Sequence, residues 1–377
     1  MKILIDTTPL LKKLTGIGQV TYIYAKELQK YDHEYVYFYA WFYSKELKEK
    51  PLGGIETHIK TIKRFIPRPY FVVHTVKTLI FNFIIFFQKP DVFFQPNYIS
   101  FKMFKKVPTV TMVHDLSHIL YPEYHPKERV EYLDKELKKS LDTSDKIIAI
   151  SNATKDDLIK YNLADAKKIE VIYNGVSSSF KPLHQHDKSD EILKKYDLKV
   201  KSYFLFVGTL EPRKNLQLLL KSYMLYIQKV QDPTPLILVG GGGWKSEVFD
   251  ELLQEALNSL HVKALGFVKD EELAVLYAGA KVFVYPSVYE GFGLPPLEAM
   301  ASQTAVITSN VSSLPEVVED AGMLIDPLDE EKLLEAMMLL DTHDELRNSY
   351  EQKGLIQAKK FSWDRSVDRL RKLFEDL

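Results

Sequence analysis

Apolar positions along this chain fall into two patterns. Short β-branched or aromatic runs, too continuous to leave one face in water, alternate with longer stretches whose apolar residues recur at helical spacing. That alternation predicts βα units and parallel sheets. In the first half the runs predict strands at Lys2–Asp6, Tyr35–Tyr39, Asp91–Phe94, Thr109–Val113, Lys146–Ile150 and Glu170–Ile172. In the second half they predict strands at Tyr203–Val207, Leu236–Val239, Val262–Leu265, Val282–Tyr285, Ala305–Thr308 and Met323–Ile325. The polar, aperiodic stretch Ser177–Ser189 between the two sets reads as a linker. The expected architecture is α/β, with two doubly wound Rossmann-like domains, residues 1–180 and 181–361, facing a cleft. Trp363, Val367, Leu370 and Phe374 mark a last helix within residues 362–377, expected to cross back to the first domain.

Length agrees with this division, since 377 residues exceed one ordinary core and suit roughly two domains. A formal net charge of -1 gives the chain as a whole no drive toward nucleic acid. With no cysteine, disulfides, thiolate metal sites and a cysteine nucleophile are excluded, and a cytoplasmic location is expected. Met1–Asp6 lacks a signal-peptide pattern and reads as the first strand. The most apolar run, Leu79–Phe87, is about half of what a membrane-spanning helix needs, so no transmembrane anchor is expected. Basic residues precede it, at Lys60-Thr-Ile-Lys-Arg64 and Arg68. Two explanations stay open: a core helix with a solvated basic approach, or peripheral docking on a membrane.

The candidate chemistry gathers where strands end. Glu290 and Glu298 enclose Gly291-Phe-Gly-Leu-Pro-Pro-Leu297, between an apolar strand and a helix that Pro295 and Pro296 suit as its first turn. Carboxylates there can take sugar hydroxyls, while glycine backbone and a helix N-terminus attract phosphate. Gly208-Thr-Leu-Glu-Pro-Arg-Lys-Asn215 also follows a strand and precedes a helix, which places Arg213 and Lys214 where they can bind a diphosphate. Gly16-Ile-Gly18 follows the first strand, and Gly240-Gly-Gly-Gly-Trp244 another; each is either a phosphate-approaching loop or a plain turn. His114 ends the strand Thr109–Val113 and is either a hydrogen-bonded structural residue or a sugar ligand. No zinc-helix, EF-hand or D-x-D spacing is present, so no metal is expected. Two carboxylates also suit the acid and base of a glycoside hydrolase or phosphorylase, although hydrolysis gives the Arg213-Lys214 loop no task. A noncatalytic nucleotide-sugar sensor would use the same binding residues, and a nucleotide-sugar 2-epimerase shares the two-domain architecture but would convert the donor sugar without any acceptor.

Taken together these motifs resemble the retaining GT-B glycosyltransferases of family 4. The likeness rests on Glu290–Glu298 as an E-x7-E motif continued by Ala299-Met-Ala301, and on Gly208–Asn215. It extends over Gly16-Ile-Gly18, His114-Asp115, Val171–Val176, Leu265–Val268, Leu314–Val317, Asp320–Pro327 and Phe361–Trp363. The resemblance implies that Glu290 contacts the donor sugar, Glu298 the ribose hydroxyls, and Arg213 and Lys214 the diphosphate. It further implies phosphate contacts from the Gly291, Phe292, Gly293 and Leu294 backbone, base recognition by Phe267 and Val268, loop closure at Gly16 and Gly18, and His114 near the transferred sugar. Gln19 departs from the pattern, standing where a basic residue is common. The first-domain motifs are similar to those of bacterial mannosyltransferases of O-antigen and capsule assembly. They imply GDP-mannose as the preferred donor with a UDP-sugar as the alternative, a saccharide or lipid-linked acceptor, and work on the cytoplasmic face of the inner membrane.

Overall fold

The computed structural model describes residues 1–11, 16–48, 69–241 and 247–377, the side chains of 69–71 and 247–250 excepted. It contains two compact units, Met1–Asn174 with Trp363–Leu377, and Gly175–Ser362. The sheet of the first unit comprises β1 (Lys2–Asp6), β2 (Glu34–Phe38), β3 (Tyr43–Ser44), β4 (Val92–Gln95), β5 (Thr109–Val113), β6 (Lys146–Ala149) and β7 (Ile169–Val171). Its spatial order is β3-β2-β1-β4-β5-β6-β7. That of the second comprises β8 (Phe204–Val207), β9 (Leu236–Val239), β10 (Val262–Gly266), β11 (Val282–Tyr285), β12 (Ala305–Ser309) and β13 (Met323–Ile325), in the order β10-β9-β8-β11-β12-β13.

Every strand expected from sequence is present to within one residue at either end. The apolar runs are continuous rather than alternating because helices cover both faces of a parallel sheet; all five residues of β5 are buried. The added strand β3 is antiparallel to β2 at the sheet edge and, at two residues, too short to show a periodic pattern. The unit boundary also differs from the expected 180/181. It falls after Asn174 because the next residues are held by the second unit: Val176 N–H donates to Phe361 O at 3.4 Å, and the Phe180 ring packs edge-on against Tyr277.

Each sheet begins in its middle. β1 lies between β2 and β4, and β8 between β9 and β11, so the chain reverses its winding direction at those strands. Reversal leaves a crevice beyond the strands' carboxyl ends, where doubly wound sheets bind ligands. The helices that concern function are α1 (Gly16–Glu27) and α2 (Pro69–Gln88) in the first unit, and α3 (Leu216–Lys229), α4 (Asp270–Gly279) and α5 (Leu294–Ala301) in the second. The last helix, α6 (Trp363–Glu375), belongs to the first unit, where Trp363 meets the Tyr24 ring at 5.5 Å and Phe374 meets Phe94 at 5.6 Å. The run Leu79–Phe87 is the second half of α2. Among the described residues no helix is long and apolar enough to cross a membrane. Lys60–Arg64 and Arg68, with Gly242–Trp244 of the four-glycine loop, lie outside the described residues.

Candidate functional site

The winding reversal at β8 and β11 assembles a site from two loops distant in sequence. β8 runs into Gly208 and a short 3-10 turn, Pro212–Lys214, which Asn215 ends in a left-handed conformation before α3. β11 runs into Ser287–Gly293 before α5. The loops are joined through one carbonyl: Arg213 O accepts from Val288 N–H and from Ser287 Oγ, each at 2.9 Å. The neighbouring strand end supports the first loop closely. Gly240 has φ +124°, and a Cβ there would lie 2.0 Å from Gly208 O, so only glycine fits. Gly240 N–H in turn donates to Gly266 O at 2.8 Å.

Glu290 is the centre of the site, 8% exposed. Lys214 Nζ donates to its Oε1 at 2.7 Å and Arg213 Nη1 to its Oε2 at 3.1 Å. Tyr285 and Ser287 hydroxyls donate to Oε1 at 2.9 and 2.7 Å. Burial alone would push this carboxyl up, but the Arg213 and Lys214 charges, with the Lys214 and Ser287 hydrogen bonds, outweigh it and hold Glu290 at about 2. Burial pulls Lys214 below its ordinary value; the Glu290 charge opposes the shift and the neighbouring Arg213 adds to it. Arg213 also donates to Tyr289 O at 2.7 Å and to Glu211 at 2.6 Å, which fixes its plane. Sequence placed Glu290 and the two cations in separate roles; in the structure they form one buried ionic cluster.

The E-x7-E loop is clamped from the next strand. After β12, Ser313 Oγ donates to Glu290 O and Phe292 O, both at 2.8 Å, and Ser312 Oγ donates to Glu290 O. Gly293 has φ +109° and begins α5 without a side-chain cap, and the positive end of the helix dipole there favours an anion. Phe292 itself is buried against the Phe361 ring, so its side chain packs the loop. Glu298 lies one turn further along α5 and is half-buried. Protein crowding around its carboxyl pushes it up to about 8; the Tyr277 hydroxyl partly opposes that shift and Asp270 reinforces it. Tyr277 Oη makes no hydrogen bond of normal geometry. Beyond β10, Phe267 is exposed and Val268 buried, at the mouth of the same sheet edge.

The remaining candidates occupy the matching edge of the first unit. Gly16 opens α1, and a Cβ there would meet nothing within 4 Å, so packing does not require its glycine. Gly18 is buried in the first turn of α1. His114 is buried just beyond β5 with Nε2 2.7 Å from Pro96 O, and burial pulls its pKa below the usual histidine value. One ring nitrogen is therefore committed to the fold. Sequence reading missed Tyr285, Ser287, Glu211, Ser312 and Ser313. Ser287, Glu211, Ser312 and Ser313 share one signal, a polar residue in the loop beyond a strand's carboxyl end, whereas Tyr285 is the last residue of β11 itself.

A model of the glycosyl transferases group 1 matches residues 188–376, and one of glycosyltransferase family 4 matches residues 14–180. O-antigen chain mannosyltransferase B of Escherichia coli is 41% identical over 255 residues, 68% of this chain and 67% of that protein. A serotype-specific mannosyltransferase WbdA of Escherichia coli is 31% identical over 68% of this chain, which spans only 32% of WbdA's length. Sucrose-phosphate synthase from Thermosynechococcus elongatus superposes with a TM-score of 0.75 over 100% of this chain and 98% of its own at 17% identity, a likeness of fold. With both halves matched to one family and both sheets Rossmann-like, this chain is a GT-B protein of the family 4, group 1 glycosyltransferases.

Proposed function

We propose that this glycosyltransferase moves a hexose with retention of anomeric configuration, mannose from GDP-mannose, to a saccharide or lipid-linked saccharide in surface-polysaccharide assembly. The observation that carries the proposal is the Arg213–Lys214 pair fixed on the buried Glu290 at the sheet's winding reversal. Mannose is favoured by the 41% identity to an O-antigen mannosyltransferase.

As the bond from sugar to diphosphate breaks, negative charge grows on the phosphate and the sugar becomes oxocarbenium-like. Arg213, Lys214 and the uncapped start of α5 stabilise that charge without reorganising. Two side-chain cations make a metal ion unnecessary for this task. Glu290 takes sugar hydroxyls and Glu298 the ribose pair. Phe267 and Val268 receive the base, Gly16 and Gly18 allow backbone to approach the phosphates, and His114 faces the transferred sugar. The acceptor oxygen bonds to the anomeric carbon on the face the phosphate leaves, and the departing phosphate takes its proton, so no enzyme nucleophile is assigned. The work is placed on the cytoplasmic face of a membrane.

A thermal-shift panel of GDP-, UDP- and ADP-sugars tests the donor, since binding to the folded state raises the melting point. GDP-mannose is expected to give the largest shift; a larger shift with a UDP-sugar would replace it, and no shift with any would refute the donor site. In transfer assays Arg213→Ala and Lys214→Ala should lower turnover more than binding, and Glu298→Ala chiefly binding. Transfer unchanged by Glu290→Ala and Lys214→Ala would refute the site assignment.

A further inference from the structure

Helix α2 has two apolar sides, and among the described residues the fold covers one. Phe81, Ile84 and Ile85 pack with Phe38, Phe93 and Phe101 into the core of the first unit. At about 100° per residue, Val72, Val76, Leu79, Phe83, Phe86 and Phe87 fall within one arc about 100° wide on the opposite side. All six are exposed, Phe83 by 65% and Phe86 by 70%. Phe87 lies against both rings, at 4.6 and 5.2 Å between centroids, which makes a continuous aromatic surface at the helix end. A contiguous exposed apolar patch of this kind marks an interaction surface.

The loop after β4 adds to this end of α2. The Asn82 side chain donates to Lys102 O at 2.8 Å and accepts from Phe104 N–H at 2.7 Å, so the loop is tied to the same helical turn as Phe83. Phe104 is 74% exposed, and Lys102 and Lys105 beside it are exposed too. From Val72 to Pro108 the chain carries Lys77, Lys89, Lys102, Lys105 and Lys106 against one acid, Asp91, whose carboxylate accepts from the Lys2 backbone.

We propose that this face of α2, with Phe104, Lys102 and Lys105, seats the protein on the surface of a bilayer containing anionic lipid. Aromatic rings suit the boundary between headgroups and acyl chains, and lysines beside them reach lipid phosphates. Charge separates this partner from a second copy of the chain. A face flanked by lysines, with no acid of its own, would set like charges together in a dimer, whereas anionic headgroups supply the missing sign. The surface deepens the membrane contact placed in the function proposed above, but needs neither the donor nor the acceptor chosen there.

Flotation of the full chain with vesicles tests it without any nucleotide sugar. Phosphatidylcholine vesicles with about a third phosphatidylglycerol should bind at least about tenfold more tightly than phosphatidylcholine alone. Phe83→Ser with Phe86→Ser should weaken binding to the anionic vesicles by about tenfold or more. Lys102→Glu with Lys105→Glu should abolish the preference for anionic lipid and leave the aromatic face intact. Both variants should melt within about 2 °C of the wild type, because exposed side chains contribute little to folding. Absence of vesicle binding would overturn the proposal. So would a wild-type dimer that Phe83→Ser with Phe86→Ser splits, or a large fall in that variant's melting point, which would show the face covered within the chain.

Discussion

Replacing Glu290 by Gln keeps the side-chain shape and removes the charge that Arg213 and Lys214 share. Breaking a buried ion pair by deleting one partner costs about 3–5 kcal/mol, because the other charge is left uncompensated in a poorly solvated place. The structure favours the lower end: Arg213 keeps Glu211 at 2.6 Å, so Lys214 is the ion left without a carboxylate. About 3 kcal/mol in a domain of this size lowers the melting point by roughly 6–12 °C, readable by differential scanning calorimetry. A double-mutant cycle separates this electrostatic cost from lost packing. Lys214→Met in the Glu290→Gln background removes the stranded cation, so the two changes together should cost at least about 1.5 kcal/mol less than the sum of the separate ones. The acid limb gives a second check. The folded carboxyl, at about 2, is depressed from the ordinary 4.5, so its contribution is complete above about 4.5 and disappears as pH falls through about 2. The wild type's margin over Glu290→Gln should close across that window. A Glu290→Gln variant within about 0.5 kcal/mol of wild type at neutral pH, or an additive cycle, would refute the buried cluster.

Glu298 should behave oppositely, since its folded pKa of about 8 lies above the ordinary 4.5. Its stabilising contribution is full below about 4.5 and is lost as pH rises toward about 8, so Glu298→Gln should flatten the fall in melting point across that range; parallel curves would refute the shift. Gly240→Ala should destabilise severely or prevent folding, because its Cβ would meet Gly208 O at 2.0 Å, whereas Gly16→Ala, with open space, should leave the melting point unchanged or slightly higher. Gly16→Ala should nonetheless lower transfer if donor phosphates approach the α1 backbone; full activity would remove Gly16 from the site. Ser313→Ala removes two hydrogen bonds to the E-x7-E loop and should cost about 1–3 kcal/mol by thermal unfolding, with no loss arguing that the clamp is unused.

Parallel strands were readable in the sequence because burial on both faces writes them as unbroken apolar runs, and the site loops were readable because they follow those runs directly. What remained hidden comes from neighbours in the sheet rather than along the chain. Glu290 meets Arg213 and Lys214 because β8 and β11 are adjacent, although 76 residues separate Glu290 from Lys214. Ser313 reaches Phe292 O because β12 lies beside β11. The upward shift of Glu298 comes first from burial, with Asp270 reinforcing it and Tyr277 opposing it, both from α4. Helix α2 was ambiguous for another reason. Its core and outward arcs are equally apolar, so no period in the sequence distinguishes the covered side from the exposed one.

The two cations held on Glu290 also separate transfer from hydrolysis. A glycosidase needs one carboxyl kept protonated near neutral pH to give a proton to the leaving group, and a second, ionised one within about 5–10 Å across the same bond. Glu290, at about 2, cannot be that acid; Oε1 accepts from Lys214, Tyr285 and Ser287 and Oε2 from Arg213, which leaves Oε2 room for a sugar hydroxyl but makes the carboxylate a weak nucleophile. Glu298 has the pKa of an acid, but no stabilising cation is among the causes of its shift, and the cations that would stabilise a departing anion are gathered on Glu290 instead. The cations thus favour a leaving group that is itself anionic, as a diphosphate is and a sugar hydroxyl is not. Lys214→Met separates the cases: it should slow transfer from a nucleotide sugar far more than release of an activated aryl leaving group, whose phenolate needs less stabilisation. Equal slowing of both would mean that Lys214 supports the fold of the site rather than the charge of the departing phosphate.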